Sequence, residues 1–331
     1  MDLSTTYMGF ELAHPLVPGA SPMVDDLDLV RRLEDAGAPM IVMHSLFEEQ
    51  IAAEEVAVTR AIEIGDESYS EALSYLPKPE HFELGPAEYL EQVRKVKNAV
   101  SVPVIGSING VTEGGWLEYA RLIEEAGADG LELNLFQVQS EPCENGDAIE
   151  RRQLSIVRAV KGSVQIPLAV KLSPFYSSVA HFASQLDQIG IEALVLFNRF
   201  YEPDIDVEQL EVIPVNLLSN PSELLLRLRW IGILSGRIKA SLAATGGVHS
   251  AVEAVKAIMV GAQAVQMVSA LLTRGPPYLK NVQYELAQWL DEHGYESLRQ
   301  MQGSMSQARC PNGKVFERGN YVRILQSWQS D

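Results

Sequence analysis

Cysteine is scarce in this sequence, and its scarcity narrows the class of protein. The 331 residues include two cysteines, Cys143 and Cys310, which form neither a disulfide framework nor a CxxC metal pair. We expect no metal site, and two cysteines cannot hold an iron–sulfur cluster by themselves. A chain without a disulfide framework fits the reducing cytoplasm, which is the expected location.

Long hydrophobic runs are also missing. No stretch of about 18 consecutive apolar residues occurs, so we expect no membrane-spanning helix and no membrane partner. The opening residues, MDLSTTYMGFELAHPLV, lack the charged-then-apolar order of a signal peptide. Hydrophobic residues make up 47% of the chain and charged residues 21%, a balance that is typical of a packed globular protein.

Basic residues are few relative to acidic ones. The chain has 26 lysines and arginines against 44 aspartates and glutamates, so its formal charge is −18. Such a surface keeps a protein soluble and repels phosphates, which argues against a nucleic-acid partner. An anionic ligand would therefore need a local positive site.

Eight short apolar runs recur along the chain, and amphipathic segments separate them. Runs that are apolar throughout are typical of parallel strands covered on both faces. Alternation of eight such strands with helices predicts one α/β domain over residues 1–331, a closed (β/α)₈ TIM barrel, with a doubly wound open sheet as the alternative. The runs are HPLVPGAS at 14–21, PMIVMHS at 39–45, PVIGSI at 103–108, GLELNL at 130–135, PLAVKLS at 167–173, EALVLFN at 192–198, KASLAAT at 239–245 and GAQAVQMV at 261–268.

The sequence also indicates where the helices end and which connections are long. EDAGAPM, EEAGADG and IMVGAQA indicate one helix-to-strand joint used three times, with a glycine closing each helix. Two connections, 47–85 and 199–221, are too long for simple turns and are predicted to shape or cover a site. The tail from about residue 295 is expected to pack on the barrel or on a second subunit.

Polar or flexible residues end every predicted strand. In a barrel these carboxyl ends meet at one mouth, where function collects. One such residue means little, whereas eight strand ends out of eight predict a site. The residues are Ser21, His44 with Ser45, Ser107 with Asn109, Asn134, Lys171, Asn198, Thr245 before Gly246 and Gly247, and Ser269.

Lys171 and Asn134 are unusual because each interrupts an apolar run. A buried lysine without a partner is costly, so Lys171 either pairs with a carboxylate from a nearby strand or faces a ligand that carries negative charge. Asn134 is either a hydrogen-bonded core residue or a ligand contact. The turn ATGGVHSAVEAV, together with GAQAVQMVSAL, predicts a phosphate site after strands seven and eight. His44 is either a ligand contact or a satisfied histidine. Cys143 is interpreted as an ordinary loop thiol, with a reactive thiol as the alternative.

The residues as a set resemble a known family, the class 1 dihydroorotate dehydrogenases. PGAS, EEAGADGLELNL, PLAVKLSP, ATGG and GAQAVQMVSAL stand in the family's order, and the resemblance runs from LAHPLVPGAS to VQMVSALLTRGP. It implies an FMN-binding (β/α)₈ barrel of pyrimidine synthesis that acts on a small molecule at a CH–CH bond and forms a homodimer.

The resemblance also implies roles for individual residues. Asn134 and Lys171 would contact the flavin ring, where a lysine stabilises negative charge on the reduced ring. Asn198 would lie beside the ring or the substrate. The full set of residues that the resemblance places around FMN is Ala20, Ser21, His44, Ser45, Asn109, Asn134, Lys171, Asn198, Gly246, Gly247, Ser269 and Ala270.

The departures from the family lie mainly on the substrate side. Where the family has N-L-S-C-P-N, this chain has NLFQVQ, so Gln137 stands at the position of the base, and an amide cannot take the proton. His44 replaces a lysine, and SEALSY at 70–75 replaces the loop that holds orotate. LLSNPSELL replaces the glycine-rich loop after strand six, which belongs to the phosphate site.

These features predict an FMN oxidoreductase. Its substrate is expected near Asn134, Gln137, Gln139 and Asn198, under the 47–85 loop. The electron donor or acceptor is expected to be a small molecule or a redox partner protein. One alternative is true dihydroorotate dehydrogenation with another base, Cys143 or His44. A second is a flavin-binding protein without turnover. A third is a lyase that uses Lys171 as a Schiff base.

Overall fold

The structure is a computed structural model of the chain. It describes residues 1–47, 86–109, 113–199, 202–215, 217–317 and 321–327. Nearly all of the predicted 47–85 connection, including residues 70–75, lies outside the described residues.

Eight parallel strands form the centre of the molecule. Along the sheet they follow the order β3, β12, β11, β8, β7, β6, β5, β4, and the end strands β3 and β4 lie beside each other, so the sheet curls into a nearly closed barrel. This confirms the predicted (β/α)₈ fold and all eight strand positions. In chain order the strands are β1 (Thr5–Tyr7), β2 (Phe10–Leu12), β3 (Leu16–Pro18), β4 (Ile41–Phe47), β5 (Val104–Asn109), β6 (Gly130–Leu135), β7 (Leu168–Leu172), β8 (Ala193–Leu196), β9 (Pro203–Asp206), β10 (Glu211–Pro214), β11 (Ser241–Thr245) and β12 (Ala264–Met267).

Helices alternate with the barrel strands and cover their outer faces. None of the described helices is long and apolar enough to cross a membrane. In chain order they are α1 (Leu27–Asp35), α2 (Pro86–Ala99), α3 (Glu113–Glu125), α4 (Gly146–Ser163), α5 (Val179–Ile189), α6 (Leu224–Leu234), α7 (Ala251–Val260), α8 (Ser269–Arg274), α9 (Tyr278–Glu292), α10 (Leu298–Met301) and α11 (Tyr321–Gln326), with short 3₁₀ turns at Pro22–Asp25, Pro221–Glu223 and Gly313–Phe316.

The helix-to-strand joint predicted from sequence is present three times. Gly37, Gly127 and Gly261 follow α1, α3 and α7 with φ of +93°, +97° and +121°. Their amides bond to the last turn of the preceding helix, at 2.8, 2.9 and 2.9 Å. A residue with a side chain is strained at such φ, which explains the glycine in each phrase.

The barrel strands alternate between two environments. On β6, Leu131, Leu133 and Leu135 belong to the apolar layer between strands and helices. Glu132 and Asn134 alternate with these leucines, and the strand period of two therefore turns them into the barrel. The lower interior is filled by small and apolar side chains such as Val42, Ile105 and Ala169.

An antiparallel hairpin of β1 and β2 closes the amino end of the barrel. Tyr7 and Met8 pack in one cluster with the interior residues Val17, Ala193 and Ala243 and are almost fully buried. The strand starts are thereby sealed, and the described chain leaves the carboxyl ends for ligands.

In two regions the structure is more specific than the prediction from sequence. The 199–221 connection contains an antiparallel hairpin of β9 and β10, in which Ile205 and Val212 face each other. The tail from 295 packs on the barrel's helices, since the amides of Gly303, Met305 and Gln307 bond to carbonyls of α6 and α7.

Candidate active site

A cleft of about 230 Å³ opens at the carboxyl ends of the strands, and we name it the mouth cleft. It unites residues from β3, β7, β8, β11 and β12 and from the loops that follow them. Seven residues predicted around the cofactor line it: Ala20, Ser21, Lys171, Asn198, Gly246, Gly247 and Ser269. Ala270 is buried in the first turn of α8, directly behind Ser269.

Lys171 reaches the cleft from inside the barrel, where it has a carboxylate partner. Its Nζ lies 3.2 Å from Oε1 of Glu132, and the two residues are 7% and 1% exposed. Gln266 on β12 donates to the other oxygen, Oε2, at 2.9 Å. The sequence offered a carboxylate partner or a ligand-facing lysine. The structure shows the carboxylate partner, and it also places Lys171 at the cleft wall.

The ion pair affects a phenol below it. Burial raises the pKa of Tyr7 well above its usual value, and the negative charge of Glu132 raises it further. The Tyr7 hydroxyl is buried and has no hydrogen-bond partner among the described residues. The Tyr7 phenol is therefore neutral near neutral pH.

Two amide oxygens at the mouth are buried without a partner. Asn134 lies level with Lys171 in the strand register, and Asn109 lies level with Asn134. Oδ1 of Asn134 and Oε1 of Gln266 have no hydrogen-bond partner within the described chain. Buried acceptors are normally satisfied, so these two are available to donors of a ligand.

The predicted glycine turn has the backbone that its sequence requires. Gly246 and Gly247 have φ of +88° and +80°. A Cβ on Gly247 would lie 2.5 Å from the backbone nitrogen of Leu224, and one on Gly246 would lie 2.9 Å from the Arg227 guanidinium. The two glycines therefore let α6 approach the turn closely.

Ser219 connects the glycine turn to the first residue of α8 at one end of the cleft. Its hydroxyl donates to Ser269 Oγ at 2.9 Å, and its amide donates to the same oxygen at 3.0 Å. The Gly247 amide donates to the Ser219 hydroxyl at 3.3 Å. The segment LLSNPSELL, which replaces a glycine-rich loop, thus supplies a hydroxyl to the turn.

Two arginines give the cleft a positive end. Arg199 lines it and lies 3.4 Å from Glu223. Arg227 is buried behind the turn and donates to the carbonyl of Thr245 at 3.0 Å. Burial lowers the pKa of Arg227, which Glu223 opposes and Arg199 reinforces. This end of the cleft thus combines two guanidinium groups with one carboxylate, that of Glu223.

His44 and Ser45 lie on β4, on the far side of the mouth. His44 Nδ1 is 2.7 Å from Asp25 Oδ1, and its ring meets Tyr89 edge-on. Ser45 shares a hydrogen bond of 2.8 Å with Ser107. These two residues and Asn109 do not line the mouth cleft as the described chain forms it.

Gln137 and Gln139 lie elsewhere. They line a second cavity of about 430 Å³, which we name the side cavity, between the loops after β6 and β7 and helix α4. The predicted substrate set is thus divided, with Asn198 in the mouth cleft, both glutamines in the side cavity and Asn134 on β6, where it lines neither cavity. The lining residues are Leu135, Gln137, Val138, Gln139, Gly146, Ile149, Glu150, Gln153, Ser173, Phe175, Tyr176 and Ser177.

Neither cysteine belongs to these cavities. Cys143 is exposed in the loop before α4 and lines neither the mouth cleft nor the side cavity. Within the described residues, no group of three or more histidines, cysteines and acids could hold a metal ion.

Sequence reasoning missed Ser219, Arg199, Arg227 and Gln266. Gln266 left a signal, because it is a polar residue inside the apolar run GAQAVQMV. Arg227 left none, since LLLRLRW is an ordinary helical sequence whose inward residue depends on packing.

Comparison with known proteins gives a consistent result. A family model described as "Dihydroorotate dehydrogenase" matches residues 83–290, well over half of the chain. The "Dihydroorotate dehydrogenase B (NAD(+)), catalytic subunit" of Thermoplasma volcanium is 26% identical over 314 residues, which cover 91% of this chain and 98% of that protein. The protein of the same description from Methanocaldococcus jannaschii is 30% identical over 228 residues, 66% of this chain and 71% of its own.

Proposed function

Since the chain belongs to the dihydroorotate dehydrogenase family, a family of oxidoreductases, we propose that it is an FMN-dependent oxidoreductase acting on a CH–CH bond of a small substrate other than dihydroorotate. The observation that carries the proposal is the mouth cleft, in which the glycine turn, Ser219 and Arg199 lie together with Lys171 and with Gln266, whose Oε1 is unpaired among the described residues. We infer one catalytic domain over residues 1–331.

The residues at the positive end of the cleft fit the phosphate of FMN. Gly246 and Gly247 present a backbone without side chains, and Ser219 and Ser269 add hydroxyls. Arg199 supplies positive charge at the surface of the cleft, and Arg227 supplies it from behind the turn. Backbone amides, hydroxyls and guanidinium groups are the donors that phosphate oxygens accept.

The residues at the barrel axis fit the polar edge of the flavin ring. Asn134 Oδ1 and Gln266 Oε1 are acceptors for ring N–H groups. The ammonium of Lys171 has three N–H groups, of which one points to Glu132, so others can donate to ring oxygens. FMN, when bound, supplies the electron-accepting centre, and Lys171 stabilises negative charge that develops beside it.

The substrate side differs from the family pattern at the proton acceptor. Gln137 occupies the position of the base and is neutral, so another group must take the proton. We infer that His44 does so, because it lies on β4 with the Asp25 carboxylate 2.7 Å from its Nδ1 and imidazole is a proton acceptor near neutral pH. Cys143, the other candidate, is exposed in the loop before α4 and does not lie on a barrel strand as His44 does. Asn134 and Asn198 would orient the substrate.

A protein partner fits the proposal as well. The relatives named above are described as catalytic subunits, that is, as parts of larger assemblies. We infer a redox partner protein or a second copy of this chain, in contact with the exposed apolar side chains of the β9–β10 hairpin.

The test is the visible spectrum of the purified chain, supplied with FMN and followed anaerobically while dihydroorotate is added. We expect flavin absorbance bands that persist on addition of dihydroorotate, because the base and the orotate-binding loop are replaced. A Lys171→Met variant should bind FMN more weakly than the parent chain, and Lys239→Met, an exposed-loop lysine, should bind it equally.

Each other result has a definite meaning. Absence of flavin bands after incubation with FMN would contradict the proposal and favour a lyase with Lys171 as its Schiff base. Bands that bleach with dihydroorotate would contradict the different substrate and restore true dihydroorotate dehydrogenation. In that case His44→Asn should slow bleaching at least about 100-fold, the usual contribution of a general base, while Cys143→Ala should not.

A further inference from the structure

The side cavity lies beside the barrel mouth and shares no lining residue with the mouth cleft. The loop 137–139 forms one wall, helix α4 the second and the loop 173–177 the third. Its volume of about 430 Å³ falls within the range of small-molecule sites.

Three residues that line the side cavity carry buried, unpaired side-chain polar atoms. These atoms are Nε2 of Gln139, Oε1 of Gln153 and the hydroxyl of Tyr176, none of which has a hydrogen-bond partner among the described residues. Gln153 is only 8% exposed. Buried polar atoms are nearly always satisfied in folded proteins, so three unsatisfied ones around one cavity indicate a ligand that satisfies them.

The unpaired atoms define the polar part of such a ligand. The Gln139 amide nitrogen donates, the Gln153 amide oxygen accepts, and the Tyr176 hydroxyl can do either. A carboxamide or imide group, which carries a C=O and an N–H side by side, matches this donor–acceptor pair. A carboxylate does not, since it has no N–H for Gln153.

The remaining lining residues define the body and charge of the ligand. Leu135, Val138, Ile149, Phe175 and Tyr176 provide apolar and aromatic surface. Tyr176 is itself held by stacking on Phe182, with ring centroids 4.3 Å apart. Glu150 is the one charged residue in the lining and it is acidic, so an anion would be repelled.

We propose that the side cavity is a second small-molecule site, which binds an uncharged, flat molecule bearing a carboxamide or imide group. This site goes beyond the proposed flavin chemistry and stands independently of it, because it rests on other residues. A chain that failed to bind FMN could still bind such a ligand, and the reverse also holds.

The experiment is saturation-transfer NMR on the full chain with two probes of matched size, benzamide and benzoate. We expect transfer to benzamide and at least about tenfold less to benzoate, which lacks the N–H and carries a negative charge. Gln153→Leu should abolish most of the benzamide signal, and Tyr176→Phe, which removes one hydroxyl, should reduce it.

Gln92→Leu is the matched control. Gln92 is buried to the same degree, 7% exposed, but its amide donates to the carbonyls of Val24 and Asp25 at 2.7 and 3.1 Å. We expect Gln92→Leu to lower the melting temperature and keep the benzamide signal. Gln153→Leu should keep or raise the melting temperature, because it removes an unsatisfied acceptor.

Three results would overturn the proposal. They are no transfer to benzamide, equal transfer to benzamide and benzoate, and a benzamide signal that survives Gln153→Leu. Should Gln153→Leu fail to fold, the Tyr176→Phe signal decides, and an unchanged signal there counts against the site. Flavin absorbance recorded on the same samples reports the mouth cleft separately.

Discussion

At the scale of single residues, the buried pair of Glu132 and Lys171 dominates the site. The two charges lie 3.2 Å apart within the barrel, and Gln266 bonds the second carboxylate oxygen. Removing one partner leaves the other charge buried and unpaired, which costs far more than removing both. The pair is therefore expected to behave as a unit in stability.

We predict that Glu132→Gln and Lys171→Met each lower the free energy of unfolding by about 3–5 kcal/mol. The double variant should be less destabilised than the sum of the single ones, since no buried charge then remains. Urea unfolding of the three variants and the parent chain at pH 7 measures both effects. Additive losses would contradict a coupled, desolvated pair.

Replacing Gly247 and Gly190 by alanine should separate the cost of backbone strain from the cost of a steric clash. A Cβ there meets the backbone of Leu224 at 2.5 Å, whereas Gly190, with φ of +90°, has nothing within 4 Å of its Cβ position. Gly190→Ala should cost about 1–2 kcal/mol for its backbone alone. We predict that Gly247→Ala costs about 1–3 kcal/mol more, through displacement of α6.

The Gly247→Ala and Gly190→Ala variants also test the proposed FMN site. Gly247→Ala should weaken FMN binding, as measured by quenching of flavin fluorescence in a titration. Gly190 ends α5 before β8 starts and lines neither cavity, so Gly190→Ala should bind FMN like the parent chain. Equal FMN affinity in all three proteins would contradict a role of this turn in holding the phosphate.

His14 should make stability depend on pH. Leu16 donates to His14 Nδ1 at 3.2 Å, and His14 Nε2 is 2.7 Å from the Gly37 carbonyl, an arrangement that holds the neutral ring. Burial lowers the pKa of His14, which the Gly37 bond partly opposes. Because the unfolded chain then binds the proton more tightly, stability is retained above pH of about 6.5 and is lost as pH falls below it.

We predict that the stability difference between the parent chain and His14→Gln shrinks as pH falls from 7 to 5, by at most about 1.4 kcal/mol per pH unit. Urea unfolding at several pH values measures it, and taking the difference removes the carboxylates that both proteins share. A difference that stays constant would mean that His14 titrates normally in the fold.

At the scale of elements, sequence reasoning succeeded where one period dominates. Runs such as GLELNL and PLAVKLS are apolar at alternate outward positions and closed by glycine joints, so strand positions follow from local sequence. The β9–β10 hairpin was not predicted, because its strands have four residues each and its turn carries Leu210 at φ of +54°, where a glycine or asparagine would have given a signal.

The hairpin also carries a prediction. Ile205 and Val212 are cross-strand partners and are 64% and 71% exposed. We predict that the double change Ile205→Lys and Val212→Lys converts the proposed dimer to a monomer in sedimentation without lowering the melting temperature. Val252→Lys, an exposed position on α7, is the control and should leave the dimer intact. A double variant that remains a dimer would place the interface elsewhere.

At the scale of the whole molecule, charge sets how ligands arrive. The formal charge of −18 opposes the approach of FMN, whose phosphate is anionic, while Arg199 and Arg227 attract it only near the cleft. We predict that the rate of FMN association rises with added salt, because screening weakens the long-range repulsion first. Stopped-flow flavin fluorescence measures the rate, and a fall with salt would mean that the arginines dominate at long range.

Sequence reasoning predicted part of the site and missed contacts that depend on the tertiary fold. It identified seven lining residues of the mouth cleft because barrel strands align their carboxyl ends. It could not anticipate that Glu132 pairs with Lys171 and Gln266, which are 39 and 134 residues away along the chain, since such partners are set by strand register. Nor could it foresee that Gln137 and Gln139 turn toward helix α4.

The hairpin of β1 and β2 has a consequence for the order of events. Tyr7 and Met8 close the amino end of the barrel, so cofactor and substrate would both enter through the opening at the carboxyl ends of the strands. Whatever sits deepest must enter first and leave last. FMN should therefore bind before the substrate, and a bound substrate or partner protein should slow FMN dissociation. We thus expect FMN to stay bound as a prosthetic group rather than to exchange as a substrate does.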